Sequence, residues 1–478
     1  MNKYLLMILL TSGGGVGGFV RGPYIPLAMY YFYAVLRPQY LWKWELMMYP
    51  DPPFGGWSFY MAGAALITYL PWVFGIVGPI NDPERRVFPG FIWAHRLMLM
   101  FFTWVTVSYL NAMNQDVAWV SYQEMIKIAL MYMLATQVVR AFWQVWGLYM
   151  IFTLAIGYIA VDINHLYVTT GYLLLVRAGF AGLDNNGAAL LLSLGVPMAY
   201  FAWELTRGWH RWLLLPIIPA IIHAVVSSYS RGAMLSVIIT LPLYFLYTRK
   251  RKSLAVMLLV GLAMLPFMAG QEIRNRFMTV EHAEEDETLN LRFMSWRAAY
   301  LIATDYPVFG IGPRNSNLVS KHYGTDMEGR TIHNNYLQIA ADNGWVGMGL
   351  FVLLLIFVVL SMWRARRRLW KHKDPESVRA VAMLGGLECT LWTFIIGSWL
   401  LSLETFEPAY IVMLLGAQIW AISNAQVTPA PGYRAGQAQW ANVGPRPGGA
   451  PPPPPRPRPE RTEETWVPPS RLDDTPRP

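Results

Sequence analysis

Apolar residues along this chain come in long blocks closed by short polar stretches, and the blocks recur from residue 4 to residue 424. They fall near 4–20, 23–37, 57–78, 93–111, 124–139, 141–161, 187–206, 211–228, 232–248, 253–269, 346–363, 379–402 and 407–424. A helix needs roughly 20 apolar residues to cross a bilayer, and any segment in lipid must satisfy its own backbone groups. The blocks therefore predict membrane helices. The first two are short and read equally as one broken element, which leaves twelve or thirteen helices. The expected fold class is an all-α polytopic membrane protein with one large extracytoplasmic loop, residues 270–345.

The polar stretches orient the chain. Four are basic: Arg85 with Arg86; Arg207, His210 and Arg211; the run from Arg249 to Lys252; and Arg364, Arg366, Arg367, Arg368, Lys371 and Lys373. Basic loops stay in the cytoplasm. An even number of blocks separates each cluster from the next, so all four agree on one side. The same parity puts loop 270–345 in the opposite compartment, together with loop 162–186, the turn at 403–408 and Arg231. From Thr428 onward the chain carries the run Pro451 to Pro455 and repeated Pro-Arg pairs. Such a stretch cannot bury a core and reads as a disordered, partly polyproline cytoplasmic arm, open to a partner of unknown identity. The expected regions are thus 1–186, 187–360 with the large loop, 361–427, and the arm 428–478.

Composition narrows the function classes. The chain is 55% hydrophobic and only 14% charged, where a soluble domain runs nearer a quarter charged. The net charge of +9 would suit a nucleic-acid binder, but it resides in the loops that set orientation, so no nucleic-acid partner is expected. The single cysteine, Cys389, allows no internal disulfide and no thiolate metal site. The apolar stretch from Met1 to Val20 is followed by no small-residue cleavage site and reads as a membrane segment.

Two formal motifs have blander readings. Gly13 to Gly18 contains GxGxxG, but inside an apolar block it reads as close helix packing or a flexible break rather than a nucleotide loop. Glu281 to Glu287 reads as a solvated acidic turn and matches no zinc spacing. The segment Ser227-Ser228-Tyr229-Ser230-Arg231-Gly232 is more informative, because an arginine beside an apolar helix is costly without a partner or water. Snorkelling would explain Arg231 too, but outer-side arginines run against the orientation bias. Downstream come Leu291-Arg292-Phe293-Met294-Ser295-Trp296-Arg297, an amphipathic helix start, and Tyr306-Pro307-Val308-Phe309-Gly310-Ile311-Gly312-Pro313, a turn-rich stretch. His333 follows in Ile332-His333-Asn334-Asn335, shortly before a membrane block.

SSYSRG, RFMSW, YPVFGIGP and HNNYLQIAADNGWVG, in this order over about residues 187–360, resemble the O-antigen ligase and polymerase superfamily of bacterial envelopes. Pro26 to Pro38 and Asp184-Asn185-Asn186-Gly187 are similar to exosortase-associated O-glycosylation ligases, although Asp162-Ile163-Asn164-His165 stands where that subfamily has a basic-glycine motif. The resemblance implies a GT-C-like, multi-pass inner-membrane glycosyltransferase with its active site facing the periplasm. It would take a glycan from undecaprenyl diphosphate to a hydroxyl on a lipid, glycan or protein acceptor. It would need no cofactor and no metal, and would invert the anomeric centre.

The residues suit that chemistry. A departing diphosphate gathers negative charge, and guanidinium forks are its natural stabilisers. Arg231 and Arg292 are the first choices, with Arg297 and Arg314 in reserve. His333 is the candidate base, and Asn334 would orient it or bind sugar. Glu404 and Glu407 would support the base or pair with an arginine, unless they are solvated helix ends. Asp184, Asn185 and Asn186 would bind sugar, unless they only cap the following helix. A polymerase shares this chemistry and differs in acceptor. A non-enzymatic polysaccharide transporter would instead spread its charges along a path through the spans. A scaffold would explain the Pro-rich arm but not the arginines and histidine.

Overall fold

The computed structural model describes residues 2–50, 52, 56–268 and 287–427. Most of the acidic run at 281–287 and the whole Pro-rich arm lie outside the described residues. The main helices are α1 (Lys3–Arg21), α2 (Tyr24–Leu36), α3 (Trp57–Val73), α4 (Trp93–Leu110), α5 (Gln115–Val138), α6 (Phe142–Thr170) and α7 (Asn185–Leu205). They continue with α8 (Ile217–Ser227), α9 (Arg231–Tyr247), α10 (Arg251–Met268), α11 (Glu287–Asp305), α12 (Asn335–Leu369), α13 (Pro375–Gly397) and α14 (Glu407–Ser423). Each apolar block predicted from the sequence is helical over most of its length. Among the described residues six helical segments are long and apolar enough to cross a membrane by length and composition. The protein is an all-α, multi-pass membrane protein. Its described extended structure is one two-residue ladder, β1 (Val87–Phe88) against β2 (Gln426–Val427).

Within lipid, helices gain little from expelling apolar surface and associate by close packing, which favours small residues at crossings. The glycine run is a case in point. α1 is continuous through it, and a Cβ on Gly14 would sit 2.7 Å from Met61 Sδ while one on Gly18 would lie 3.1 Å from both Pro26 and Thr68. The first two blocks are therefore two helices folded back on each other at Gly22-Pro23, not one broken element.

Polar contacts separate the bundle into two ends. At one end Arg140 donates to the carbonyl of Arg85, Arg368 to Asn424, and the Arg249 amide to Glu204 at 2.9 Å. With the β1–β2 ladder and Arg249 over Trp370, these contacts tie all four basic loops together. At the other end Arg37 donates to the Ala181 carbonyl at 2.7 Å, Met113 to Ile311 at 2.9 Å, and Asn315 to Asn114 at 3.1 Å. The segregation matches the parity read from charge.

The opposite end carries a second, small core of Ala299, Ile302, Ile311, Ile332 and Ala341, flanked by Trp296 and Leu337. It clamps α11 onto the first turns of α12. That helix breaks at Gly344, where φ is 73° and ψ 171°. A break orphans the last carbonyls of the segment before it. Here each finds a donor: Ile311 N to Ala341 O at 3.1 Å, Gly312 N and Ser108 Oγ to Asp342 O at 2.9 and 2.8 Å, and Trp104 Nε1 to Asn343 O at 2.9 Å. Beyond the break, Trp345 N donates to Pro307 O at 2.9 Å. The turn-rich stretch 306–313 is thus the plug of a broken helix.

A Cβ at position 344 would fall 2.1 Å from the Val308 carbonyl oxygen, whereas one at Gly349, five residues on, meets nothing within 4 Å. Gly344→Ala should therefore destabilise the protein by about 2 kcal/mol or more, and Gly349→Ala should be neutral or slightly stabilising. Thermal unfolding in detergent separates the two; equal midpoints would show that the break is not a structural requirement.

Candidate active site

Three helices begin at this end and bring the motifs together, each capped by a polar side chain. Asp184 Oδ1 accepts from Gly187 N at 2.7 Å and opens α7. Ser230 Oγ accepts from Ala233 N at 3.4 Å and opens α9. Asn334 Oδ1 accepts from Tyr336 N and Leu337 N, both at 3.0 Å, and opens α12. The caps are linked sideways: Ser230 Oγ donates to Asn186 Oδ1 at 2.8 Å, and Asn185 Nδ2 approaches the Ser228 carbonyl at 3.4 Å. The capping reading of Asp184 is correct, and Asn185 and Asn186 join α7 to the loop before Arg231.

His333 precedes this last cap in a left-handed conformation, φ 55°. Its amide donates to Ser402 Oγ at 3.0 Å, and its carbonyl accepts from Trp296 Nε1 at 3.4 Å. Burial pushes its imidazole below the ordinary value, and the Arg292 and Arg330 cations push the same way. Asp184 opposes them. The ring is thus neutral near pH 7 and has a carboxylate in range to meet an arriving proton. Tyr229 (φ 58°), beside the Ser230 cap, and Arg314 (φ 62°) share the left-handed conformation. A non-glycine residue in that region costs of order 1–3 kcal/mol and tends to mark functional segments. Tyr229 and His333 lie in the SSYSRG and HNNYLQIAADNGWVG motifs quoted above, and Arg314 directly follows YPVFGIGP.

The other candidates divide. Arg231 is the first residue of α9 and is exposed beside the Asn186–Ser230 contact. Arg297 lies exposed on α11, and it is Arg330, held by Asp326, whose charge acts on His333. Arg314 belongs to a different group. Its amide donates to Asp342 Oδ2 at 2.9 Å, and its guanidinium acts on Glu404. Asn334 is 1% exposed, and among the described residues its Nδ2 has no hydrogen-bond partner, so an amide NH2 remains to donate.

Glu404 and Glu407 are not solvated helix ends. Glu404 is 1% exposed, accepts from Asn343 Nδ2 at 2.6 Å, and is pushed up to about 8 by burial and by Asp342, so it is largely protonated at neutral pH. Glu407 accepts from the Tyr30 hydroxyl of α2 at 2.6 Å, which ties it to the amino-terminal helices instead.

Sequence reading missed the link between the two groups. Ser402 Oγ, which holds the His333 amide, donates to Gln338 Oε1 at 3.0 Å. Gln338 Nε2 in turn donates to Ser316 Oγ at 2.6 Å and to Asp342 Oδ2 at 2.5 Å. Gln338 and Asp342 are four apart on one helix face and could have been paired from the motif. Ser402 is 69 residues from His333 and gave no local signal.

With this geometry in view, the comparisons narrow the reading. Residues 215–352 match the family model described as O-antigen ligase. That stretch, 138 of the 478 residues, is similar to the O-antigen ligase family. No curated protein matches the chain. The matched stretch contains Arg231, Arg292, Arg297, Arg314, His333 and Asn334, and Asp184, Ser402 and Glu404 come from outside it.

Carbethoxylation of His333 by diethylpyrocarbonate, followed against pH by peptide mass analysis, should give a midpoint below the ordinary histidine value of about 6.5. Arg292→Gln should raise that midpoint. Asp184→Asn, which keeps a good cap, should lower it. A midpoint unmoved by both would remove these groups from the neighbourhood of His333.

Proposed function

We propose that this O-antigen ligase-like protein is an inverting, metal-independent glycosyltransferase. It moves a glycan from undecaprenyl diphosphate to an acceptor hydroxyl on the periplasmic face of the inner membrane. The observation that carries the reading is the mounting of His333: a left-handed residue just before the Asn334 cap, with its amide on Ser402 and its carbonyl on Trp296, at the end where three helices present their amino-termini.

In the reaction the acceptor oxygen attacks the anomeric carbon from the face opposite the diphosphate. A bond from that oxygen to the sugar forms as the bond from the sugar to the diphosphate oxygen breaks, and the configuration inverts. The electron pair leaves with the diphosphate. Arg231 and Arg292 receive that charge, with the amino-terminal ends of α7, α9 and α12 adding oriented amide dipoles. The acceptor proton passes to the His333 imidazole, and Asp184 stabilises the resulting cation. Asn334, Asn185 and Asn186 offer polar contacts to the sugar. The acceptor is a lipid, another glycan or a protein; a ligase and a polymerase would share every step but the choice of that hydroxyl.

Two outcomes test the proposal. His333→Ala should abolish transfer in membranes while leaving donor retention within a few-fold, and Arg292→Ala should weaken donor retention by roughly tenfold. Normal transfer by the histidine variant would exclude it as the base. For sidedness, Cys389 is buried and provides a silent background. Thr331→Cys should react with a membrane-impermeant maleimide from the periplasm; protection until the cells are opened would invert the topology and sink the assignment.

A further inference from the structure

The end of the bundle opposite the candidate active site holds a cavity of about 430 Å³. Arg364, Arg367, Arg368, Lys371 and His372 line it, between the rings of Trp363 and Trp420. Counting His372 as neutral, four positive charges converge there. The nearby carboxylates are committed elsewhere. Glu388 lies 3.0 Å from Arg366, the residue of the same turn that points inward over Tyr247. Asp374 caps α13 by accepting from Ser377 N at 2.8 Å. Among the described residues none of the four lining cations has a carboxylate within ion-pair distance.

Orientation signalling and the helix dipole do not account for this arrangement. The carboxyl-terminal end of α12 carries only about half a negative charge, which one arginine of its last turn offsets. An orientation signal needs positive charge in the loop but not its convergence on a cavity. The flanking indoles add information. Trp363 is 48% exposed and carries the Arg367 guanidinium 4.5 Å above its ring. Half-exposed tryptophans of membrane helices favour the headgroup level. Beside the cavity, Arg249 lies over Trp370 in a second basic hollow that shares His372.

We propose that this cavity binds the phosphate of an acidic phospholipid headgroup, with Arg364 and Arg367 as its main donors and Trp363 against the glycerol and upper chains. The excess charge supplies the attraction, the concave lining sets a defined position, and the bilayer delivers the ligand laterally. The site is independent of glycan transfer and stands whether or not the proposed activity is correct.

The test uses the full chain in a neutral detergent, titrated with short-chain phosphatidylglycerol and read by native mass spectrometry. The wild type should retain at least one copy and should not retain phosphatidylcholine. Arg364→Gln with Arg367→Gln should weaken retention roughly twentyfold. Arg207→Gln with Arg211→Gln, in another basic loop at the same end, should leave it unchanged. Equal loss in both double variants, no loss in the first, or equal retention of phosphatidylcholine would overturn the proposal. Inorganic phosphate at matched concentration should not displace the lipid; if it empties the site, the ligand is free phosphate and the headgroup assignment falls.

Discussion

A buried helix cannot simply stop, because its last carbonyls would lose their partners without gaining water. α12 stops at Gly344 and resumes, and the rest of the outer end is arranged around that fact. The loop from Pro307 to Gly312 supplies the amides that Ala341 and Asp342 need and accepts the amide of Trp345. Trp104 and Ser108 of α4 complete the set. The break thereby binds α4, the 306–313 turns and α12 into one unit, and α11 is clamped to it by the small core around Ile302 and Ile332. His333 stands immediately after Ile332, at the mouth of this unit, with both of its backbone groups held.

Rigidity of this kind has a chemical use. A left-handed backbone at the residue before a capped helix is a stiff mount, as the role of base proposed for His333 requires. The same conformation recurs at Tyr229 and Arg314, so the three loops that meet here all carry unfavourable backbone geometry. Surrounding hydrogen bonds hold it: Ser402 on His333, the Asp342 carboxylate on the amide of Arg314, and the Ser228–Ser230 turn around Tyr229.

Charge is sorted with equal care. Burial, with the charges of Arg292 and Arg330, lowers the His333 imidazole, and the Asp184 carboxylate opposes them. Glu404, buried against Asn343, is kept largely protonated by burial and by Asp342, so the region holds less negative charge than its carboxyl groups suggest. Among the described residues, four cations without a carboxylate in ion-pair distance line the cavity at the far end, near the carboxyl-terminal end of α12. Electrostatics therefore distinguishes the two faces as clearly as the apolar blocks define what lies between them.

Apolar block length and loop charge are local properties, and both were legible in the chain alone: the all-helical bundle, the agreement of the four basic loops on one end, and the gathering of the histidine, the aspartate cap and an arginine at the other. The tight hairpin of the first two helices was half legible, since close packing at Gly14 and Gly18 was one of two readings of the glycine run. Tertiary structure decided the rest. Glu404 and Glu407 look like exposed helix ends until Asn343 and Tyr30 are seen against them. The charge of Arg330 acts on the imidazole because the chain between α11 and α12 folds back onto α11, which no periodicity encodes. Ser402 reaches His333 across 69 residues. Helix formation depends on neighbours along the chain; partnership between buried polar groups depends on which helices pack together, and only the folded bundle sets that.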